Sequence, residues 1–343
     1  MTQVAIIGGG SWGTALAVHL AKQERPIIIF DPVEKQVGEI NEKRTNSRYL
    51  PEIILPEKIK ASTNLEEVIS GAESVFLVVP SHVVKEIIQK VRPYLRSEQY
   101  LLSCSKGLDE ESLERLSQVI IKNVPPENRT KVAVLSGPTH AEEVSRGLPS
   151  AAVVASENKE TAKHFQDIIM DSHFRIYSSP DVIGVELGGA VKNIIAIAAG
   201  ICDGMGFGDN TKAALITRGL SEISRLGKAE GAKPETFSGL AGLGDLVVTC
   251  ASKHSRNWNF GYRIGQGKST EQALKEINQT VEGLRTTQTV YQLAQRSRVE
   301  MPITHKVYQV LFQGLSPQKG VYDLMGRLPK VEMEEQRDGT EYW

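Results

Sequence analysis

The chain has 343 residues, with 40 Lys plus Arg against 41 Asp plus Glu, a formal net charge of −1, and 40 % hydrophobic and 24 % charged residues. That composition fits a soluble folded protein and excludes a disordered one. The balanced charge excludes a broad nucleic-acid-gripping surface but leaves room for a local anion pocket. The length suggests two domains with a core that needs no disulfide or metal staple.

The chain enters a strand-like run directly after Met1-Thr2-Gln3, without a basic or apolar leader, so no secretory signal is expected. Strands are predicted at Val4–Gly8, Ile27–Phe30, Val75–Val79, Tyr100–Ser105 and Val132–Ser136. Each is short, rich in Val, Ile or Leu, and continuously apolar, the pattern of a parallel sheet covered on both faces. Helices are predicted between them at Trp12–Gln23, Glu34–Thr45, Leu65–Ile69, Val83–Val91 and Glu110–Asn123. Ala151–Ala155 and Phe174–Tyr177 add strands around a helix at Lys159–Ile169. This alternation predicts an α/β fold, a Rossmann-type doubly wound parallel sheet.

After about Pro180 strand patterns nearly vanish, and helices are predicted at Val182–Ile201, Thr211–Leu226, Thr270–Ile277, Thr286–Gln295 and Thr304–Gln313. The expected organisation is a dinucleotide-binding domain over 1–180, an all-α substrate domain over 181–330 and a polar, frayed tail over 331–343. Cys104, Cys202 and Cys250 have no disulfide or metal-site spacing, which suits buried thiols in a reducing compartment. The longest apolar stretch, Ile194 to Cys202, falls short of the ~20 residues of a membrane span. No membrane insertion and a cytoplasmic location are therefore expected.

Gly8-Gly9-Gly10-Ser11-Trp12-Gly13 matches the dinucleotide fingerprint GxGxxG, with a strand before it and a helix after it. Gly8 permits the tight turn, Gly10 lets the backbone approach a pyrophosphate, and Gly13 lets helix and strand pack closely. Asp31, ending the second strand, can accept hydrogen bonds from the ribose hydroxyls of NAD, or merely cap the next helix. It would repel a 2′-phosphate, and Lys35 is the first cation after it, so charge favours NADH over NADPH.

Lys192 is the one cation in an apolar, small-residue helix. Desolvation there lowers an amine's pKa toward values suited to proton transfer. Asp245, after Gly242-Leu243-Gly244 and before Leu246-Val247-Val248, needs a partner, and Lys192 or a substrate hydroxyl can supply one. Ser255-Arg256-Asn257 reads as an anion cradle. Lys106 and Thr139 follow strands, at the edge where a doubly wound sheet binds ligands. His82 and His140 rank below Lys192 as candidate acids.

Together these motifs resemble the bacterial-type NAD(P)-dependent glycerol-3-phosphate dehydrogenases over nearly the whole chain. The resemblance is carried by Gly8–Ala17, Val78–His82, Ser136–Thr139, Gly184–Asn193 and Gly239–Leu246 with Ser255–Asn257, and is extended by Val281–Arg285 and Glu300–Ile303. It implies that Lys192 is the proton donor or acceptor at the substrate C2 oxygen. It implies that Lys106, Gly137, Thr139, Asp245, Ser255, Arg256 and Asn257 bind glycerol 3-phosphate. Ser11, Trp12, Lys106, Ala141, Arg256, Thr280 and Glu282 would touch NAD(P)H. Asp31-Pro32-Val33 departs from the family, many of whose members have a His or Arg there that can meet a 2′-phosphate. The expected partners are small molecules and a second copy of the chain, with glycerophospholipid synthesis as the destination of the product. Two competing readings are a β-hydroxyacid dehydrogenase acting on a carboxylate and an NAD(H)-sensing protein without turnover.

Overall fold

The computed structural model describes residues 2–277, 279–329 and 332. Its first half is one sheet in the order β3-β2-β1-β4-β5-β6-β7-β8. The strands are β1 (Gln3–Ile7), β2 (Ile27–Phe30), β3 (Ile59–Ser62), β4 (Ala72–Leu77), β5 (Tyr100–Ser103), β6 (Val132–Ser136), β7 (Ser150–Ala155) and β8 (Phe174–Ser179). The helices beside them are α1 (Ser11–Lys22), α2 (Glu34–Gly38), α3 (Leu65–Ser70), α4 (Val84–Val91), α5 (Leu116–Asn123), α6 (Ala141–Arg146) and α7 (Lys159–Ile169). One apolar core lies on each face of the sheet, around Leu16, Phe76 and Phe165 on one side and Val75, Ile88 and Leu101 on the other. Burial on both faces is why the central strands are continuously apolar.

Four departures from the sequence expectation stand out beside the added short helices. β3 alternates Ile, Lys, Ala, Ser at the sheet edge, so it lacks the continuous apolar run of its neighbours. β7 runs antiparallel to β6, because the segment between them folds into the short α6 instead of forming a crossover helix across the sheet. The helix expected from Glu110 begins only at Leu116. Before it Asp109 accepts hydrogen bonds from the backbone N–H (2.9 Å) and hydroxyl (2.7 Å) of Ser112, closing a turn. The helix expected over Glu34–Thr45 is α2 followed by a π-helical turn, Glu39–Lys43.

The second half is helical: α8 (Val182–Gly204), α9 (Asp209–Ala229), α10 (Pro234–Phe237), α11 (Asp245–Ala251), α12 (Arg256–Gly265), α13 (Thr270–Ile277), α14 (Glu282–Arg296), α15 (Pro302–Phe312) and α16 (Pro317–Met325). The polar tail expected from 331 lies outside the described residues, Glu332 excepted. Helix α8 is the axis of this half. Asp181 caps it, accepting from the Gly184 amide at 3.0 Å, while its other oxygen accepts from the Lys233 amide and the Thr236 hydroxyl. The apolar stretch is longer than Ile194 to Cys202: by length and composition α8 could cross a membrane, and 94 % of its 18-residue apolar window is buried inside the protein. Of its charged residues, Glu186 is met by Arg115 at 2.9 Å and by the Ser117 amide at 2.8 Å.

Helices α8 and α12 meet backbone to backbone. A Cβ on Gly200 would stand 2.1 Å from the Trp258 carbonyl oxygen, and one on Gly261 would stand 2.0 Å from that of Ile197. No side chain fits in that seam. In a free helix Gly→Ala stabilises by about 1 kcal/mol; here the methyl must push two helices apart, at about 1–3 kcal/mol. Gly261→Ala is therefore expected to lower the urea midpoint, whereas Gly38→Ala, where a Cβ meets nothing within 4 Å, raises it slightly or leaves it alone. Equal midpoints for the two variants would show that the seam tolerates a side chain.

Candidate active site

The sheet and the helical half meet where β5 and β6 end against α8 and α11. Lys192, one turn beyond the middle of the first half of α8, points its ammonium at Asp245, the first residue of α11. Lys192 donates to Asp245 Oδ1 and to Thr249 Oγ1, the latter at 2.8 Å. Asp245 Oδ2 accepts from Lys106 Nζ at 2.7 Å. Lys192 is 5 % exposed and Asp245 1 %, while Lys106, arriving from the end of β5, is partly open to the cleft. Lys106 also donates to the Gly137 carbonyl at 3.1 Å, which accepts from Thr139 Oγ1 at 3.1 Å as well. Two lysines 86 positions apart thus share one carboxylate.

Burial is the largest influence on Lys192, and with help from the Lys106 charge it outweighs Asp245 and pushes the amine down to about 7. Burial works to raise Asp245, but the ammoniums of Lys106 and Lys192 overcome it and hold the carboxyl below its ordinary range. The cluster therefore keeps an anion ionised beside an amine that exchanges a proton near neutrality, the property a general acid or base needs. Thr249, four residues after Asp245 on the same helix face, was not singled out from the sequence; its i+4 spacing is the signal.

The predicted anion cradle divides into parts. Ser255 is the N-cap of α12, and its Oγ accepts from the Trp258 amide at 3.2 Å. Asn257 is an internal bracket: its Nδ2 donates to Asn193 Oδ1 at 2.9 Å and its Oδ1 accepts from the Gly283 amide at 2.8 Å. Arg256 is exposed and has no partner among the described residues. The positive end of this ten-residue helix and an exposed guanidinium on its first residue are the features that could receive an anion. The Asn257–Asn193 bond ties that helix end to the neighbour of Lys192.

At the glycine turn, Gly8 takes φ +118°, and a Cβ there would meet the Val78 carbonyl oxygen at 2.4 Å; a Cβ on Gly13 would meet the Gly8 carbonyl oxygen at 2.0 Å. Gly10, which starts α1 without a side-chain cap, has nothing within 4 Å of its Cβ position. Open space over Gly10 and uncapped amides at Ser11 and Trp12 fit the pyrophosphate of a dinucleotide. Trp12 packs with Ala15, Leu50 and Ala141 beside the turn. Glu282, at the start of α14, accepts from the Ser81 hydroxyl at 2.6 Å and the Ser81 amide at 3.3 Å, clasping the helical half to the end of β4. Thr280 precedes it, partly buried. Asp31 is turned inward: it is 8 % exposed, with Oδ1 on the Val33 amide at 2.9 Å and Oδ2 on the Gly9 amide at 3.3 Å and Gln36 Nε2 at 3.2 Å. His82 and His140 stand outside the lysine–aspartate hydrogen bonds, and burial, aided by Lys192, lowers the pKa of His140.

A family model described as the NAD-dependent glycerol-3-phosphate dehydrogenase N-terminus matches residues 3–162, and its C-terminal counterpart matches 181–322. A Halothermothrix orenii protein named glycerol-3-phosphate dehydrogenase (NAD(P)+) is 52 % identical over 342 residues, 99 % of either chain. A Pelotomaculum thermopropionicum protein of the same name is 50 % identical, covering 97 % of this chain and 95 % of its own. The crystal structure of glycerol-3-phosphate dehydrogenase from Coxiella burnetii superposes with a TM-score of 0.91 at 40 % identity, covering 95 % of this chain and 99 % of that one.

Asp245→Asn leaves two ammoniums facing a neutral amide, a change that costs about 3 kcal/mol for a buried pair. The expected loss is larger at pH 6 than at pH 9. Lys192 already titrates near 7 in the native state, so at the higher pH there is less positive charge for Asp245 to neutralise. Urea denaturation of both proteins at the two pH values measures this, and a loss independent of pH would separate Lys192 from the ion pair.

Proposed function

The chain belongs to the NAD-dependent glycerol-3-phosphate dehydrogenase family, and we propose that it works through the Lys106–Asp245–Lys192 cluster. It interconverts sn-glycerol 3-phosphate and dihydroxyacetone phosphate with NAD(P)(H). The observation that carries the residue assignment is a buried lysine pushed down to about 7 beside an ionised aspartate, at the junction of the two halves.

Lys192 moves the proton at the C2 oxygen, giving it to the oxygen as the ketone is reduced and taking it back as the alcohol is oxidised. NAD(P)(H), when bound, supplies or accepts the hydride at C2. Asp245 holds the amine in place and keeps it in reach of the substrate. Lys106 and Thr139, both gathered on the Gly137 carbonyl, orient the substrate's hydroxyl end. Arg256 and the first amides of α12 take the phosphate, so binding energy remote from C2 sets the reacting carbon against Lys192. Ser255 and Asn257 hold that helix end. Gly8, Gly10, Ser11, Trp12 and Gly13 seat the pyrophosphate, and Ala141, Thr280 and Glu282 line the same cleft. An exposed arginine at a helix N-terminus suits a phosphate dianion, which favours this substrate over a simple hydroxy acid. A nucleotide sensor has no use for a lysine tuned to neutrality.

In the wider assignment, residues 1–180 carry the cofactor, 181–330 carry the substrate end, and the protein acts in the cytoplasm, supplying glycerol 3-phosphate for glycerophospholipid synthesis. Three buried thiols suit that compartment. A homodimer is supported by exposed Tyr322, Met325 and Leu328, apolar side chains of the kind association surfaces present.

Lys192→Ala is expected to lower kcat by ~10² or more. In the parent enzyme kcat/KM for glycerol 3-phosphate oxidation should rise through about pH 7, since the neutral amine accepts the proton, and that for ketone reduction should fall over the same range. Near-normal turnover in the variant would remove Lys192 from the chemistry. Arg256→Ala should raise KM for dihydroxyacetone phosphate by about tenfold or more, as expected for a charge-assisted phosphate contact. An unchanged KM would show that the phosphate binds elsewhere.

A further inference from the structure

Asp31, Glu34 and Lys35 are the charged groups that the sequence puts just after the second strand, yet the tertiary structure adds another. The segment after the π-helical turn folds back onto the glycine turn. Asn46 Nδ2 donates to the Gly9 carbonyl at 2.8 Å and to Thr14 Oγ1 at 2.7 Å, and the Ser11 hydroxyl donates to the Tyr49 carbonyl at 2.6 Å. Arg48, between these two anchors, is exposed, lies 5.2 Å over the ring of Tyr49, and has no carboxylate partner among the described residues. It is near enough to Asp31 for its charge to act on that carboxyl. Asp31 itself is spent on the Gly9 and Val33 amides and on Gln36, so it offers the ribose little.

In a Rossmann-type fold the adenosine ribose sits at the end of the second strand beside the glycine turn, and an arginine nearby accommodates a 2′-phosphate. We propose that Arg48 is that arginine, and that it selects NADPH over NADH by pairing with the 2′-phosphate. The flanking anchors fix its backbone to the glycine turn, and the Tyr49 ring limits where the guanidinium can go. The planar fork suits a phosphate better than the point charge of a lysine. This reverses the preference expected from Asp31 alone, and it rests on the dehydrogenase reading of the cleft.

The test is calorimetric titration of the full chain with 2′,5′-ADP and with 5′-AMP, for the parent, Arg48→Gln and Arg48→Lys. Steady-state reduction of dihydroxyacetone phosphate with NADPH and NADH accompanies it. The parent should bind 2′,5′-ADP more tightly than 5′-AMP. Arg48→Gln should weaken 2′,5′-ADP by about 10- to 100-fold, as a charge-assisted pair predicts, with Arg48→Lys between, and should raise the NADPH-to-NADH ratio of KM values by a similar factor. Unchanged melting temperatures confirm that the variants fold. Equal affinities for the two nucleotides in the parent, or an Arg48→Gln variant that keeps the parent's 2′,5′-ADP affinity, would overturn the assignment. Nucleotide discrimination that depends on Arg48 without turnover of dihydroxyacetone phosphate would sink the reaction and leave the arginine's role standing.

Discussion

A carboxylate that water cannot reach, set between two ammoniums, is the constraint around which this molecule is arranged. Asp245 at 1 % exposure is stable as an anion only because Lys106 and Lys192 both point at it. Lys192 tolerates the same apolar surroundings only because Asp245 is there. Neither partner is neutralised outright, since the amine is held near pH 7. The cost of burying charge thereby leaves an amine whose proton exchanges near neutrality.

Holding that arrangement requires a rigid frame, and glycine supplies it by absence of side chain. The α8–α12 seam at Gly200 and Gly261 brings two backbones into direct contact. The Asn193–Asn257 bond and the Asn257–Gly283 bond then lock α8, α12 and α14 together one residue from Lys192. The N-terminus of α12, with Arg256 on it, consequently has a fixed position relative to the amine. A substrate with a phosphate at one end and a reacting oxygen at the other can be measured by those two points.

The glycine turn follows the same logic with opposite chemistry. At the glycine turn a carboxylate, Asp31, is consumed by the protein's own amides and serves as a brace. Burial works to raise its pKa, against the Val33 and Gly9 amides and the Arg48 charge, which lower it. The distant segment at Asn46–Tyr49 brings the available positive charge to the same corner. Folding thus brings to the glycine turn a cation that the local sequence around Asp31 does not show.

Much of the fold was legible because burial on two faces writes itself into sequence as uninterrupted Val, Ile and Leu runs, as in β1, β2 and β6. The glycine turn was legible because its dihedral and contact requirements admit one residue type at Gly8 and Gly13. Lys192 stood out because a lone cation in an apolar helix must be paired or exposed, and Asp245 because its neighbours are apolar. The edge strand β3 and the reversed β7 left no such trace, since each depends on what lies beside the segment, whereas the late start of α5 rests on the local Asp109–Ser112 turn. The sequence also could not separate Ser255 and Asn257, which hold a helix end, from Arg256, which is free to meet a ligand. Nor could it show that Asp31 faces inward or that the Asn46–Tyr49 segment folds back onto the glycine turn. Periodicity and residue type report the environment of one stretch of chain, whereas pairing between residues far apart in sequence is a property of the folded backbone alone.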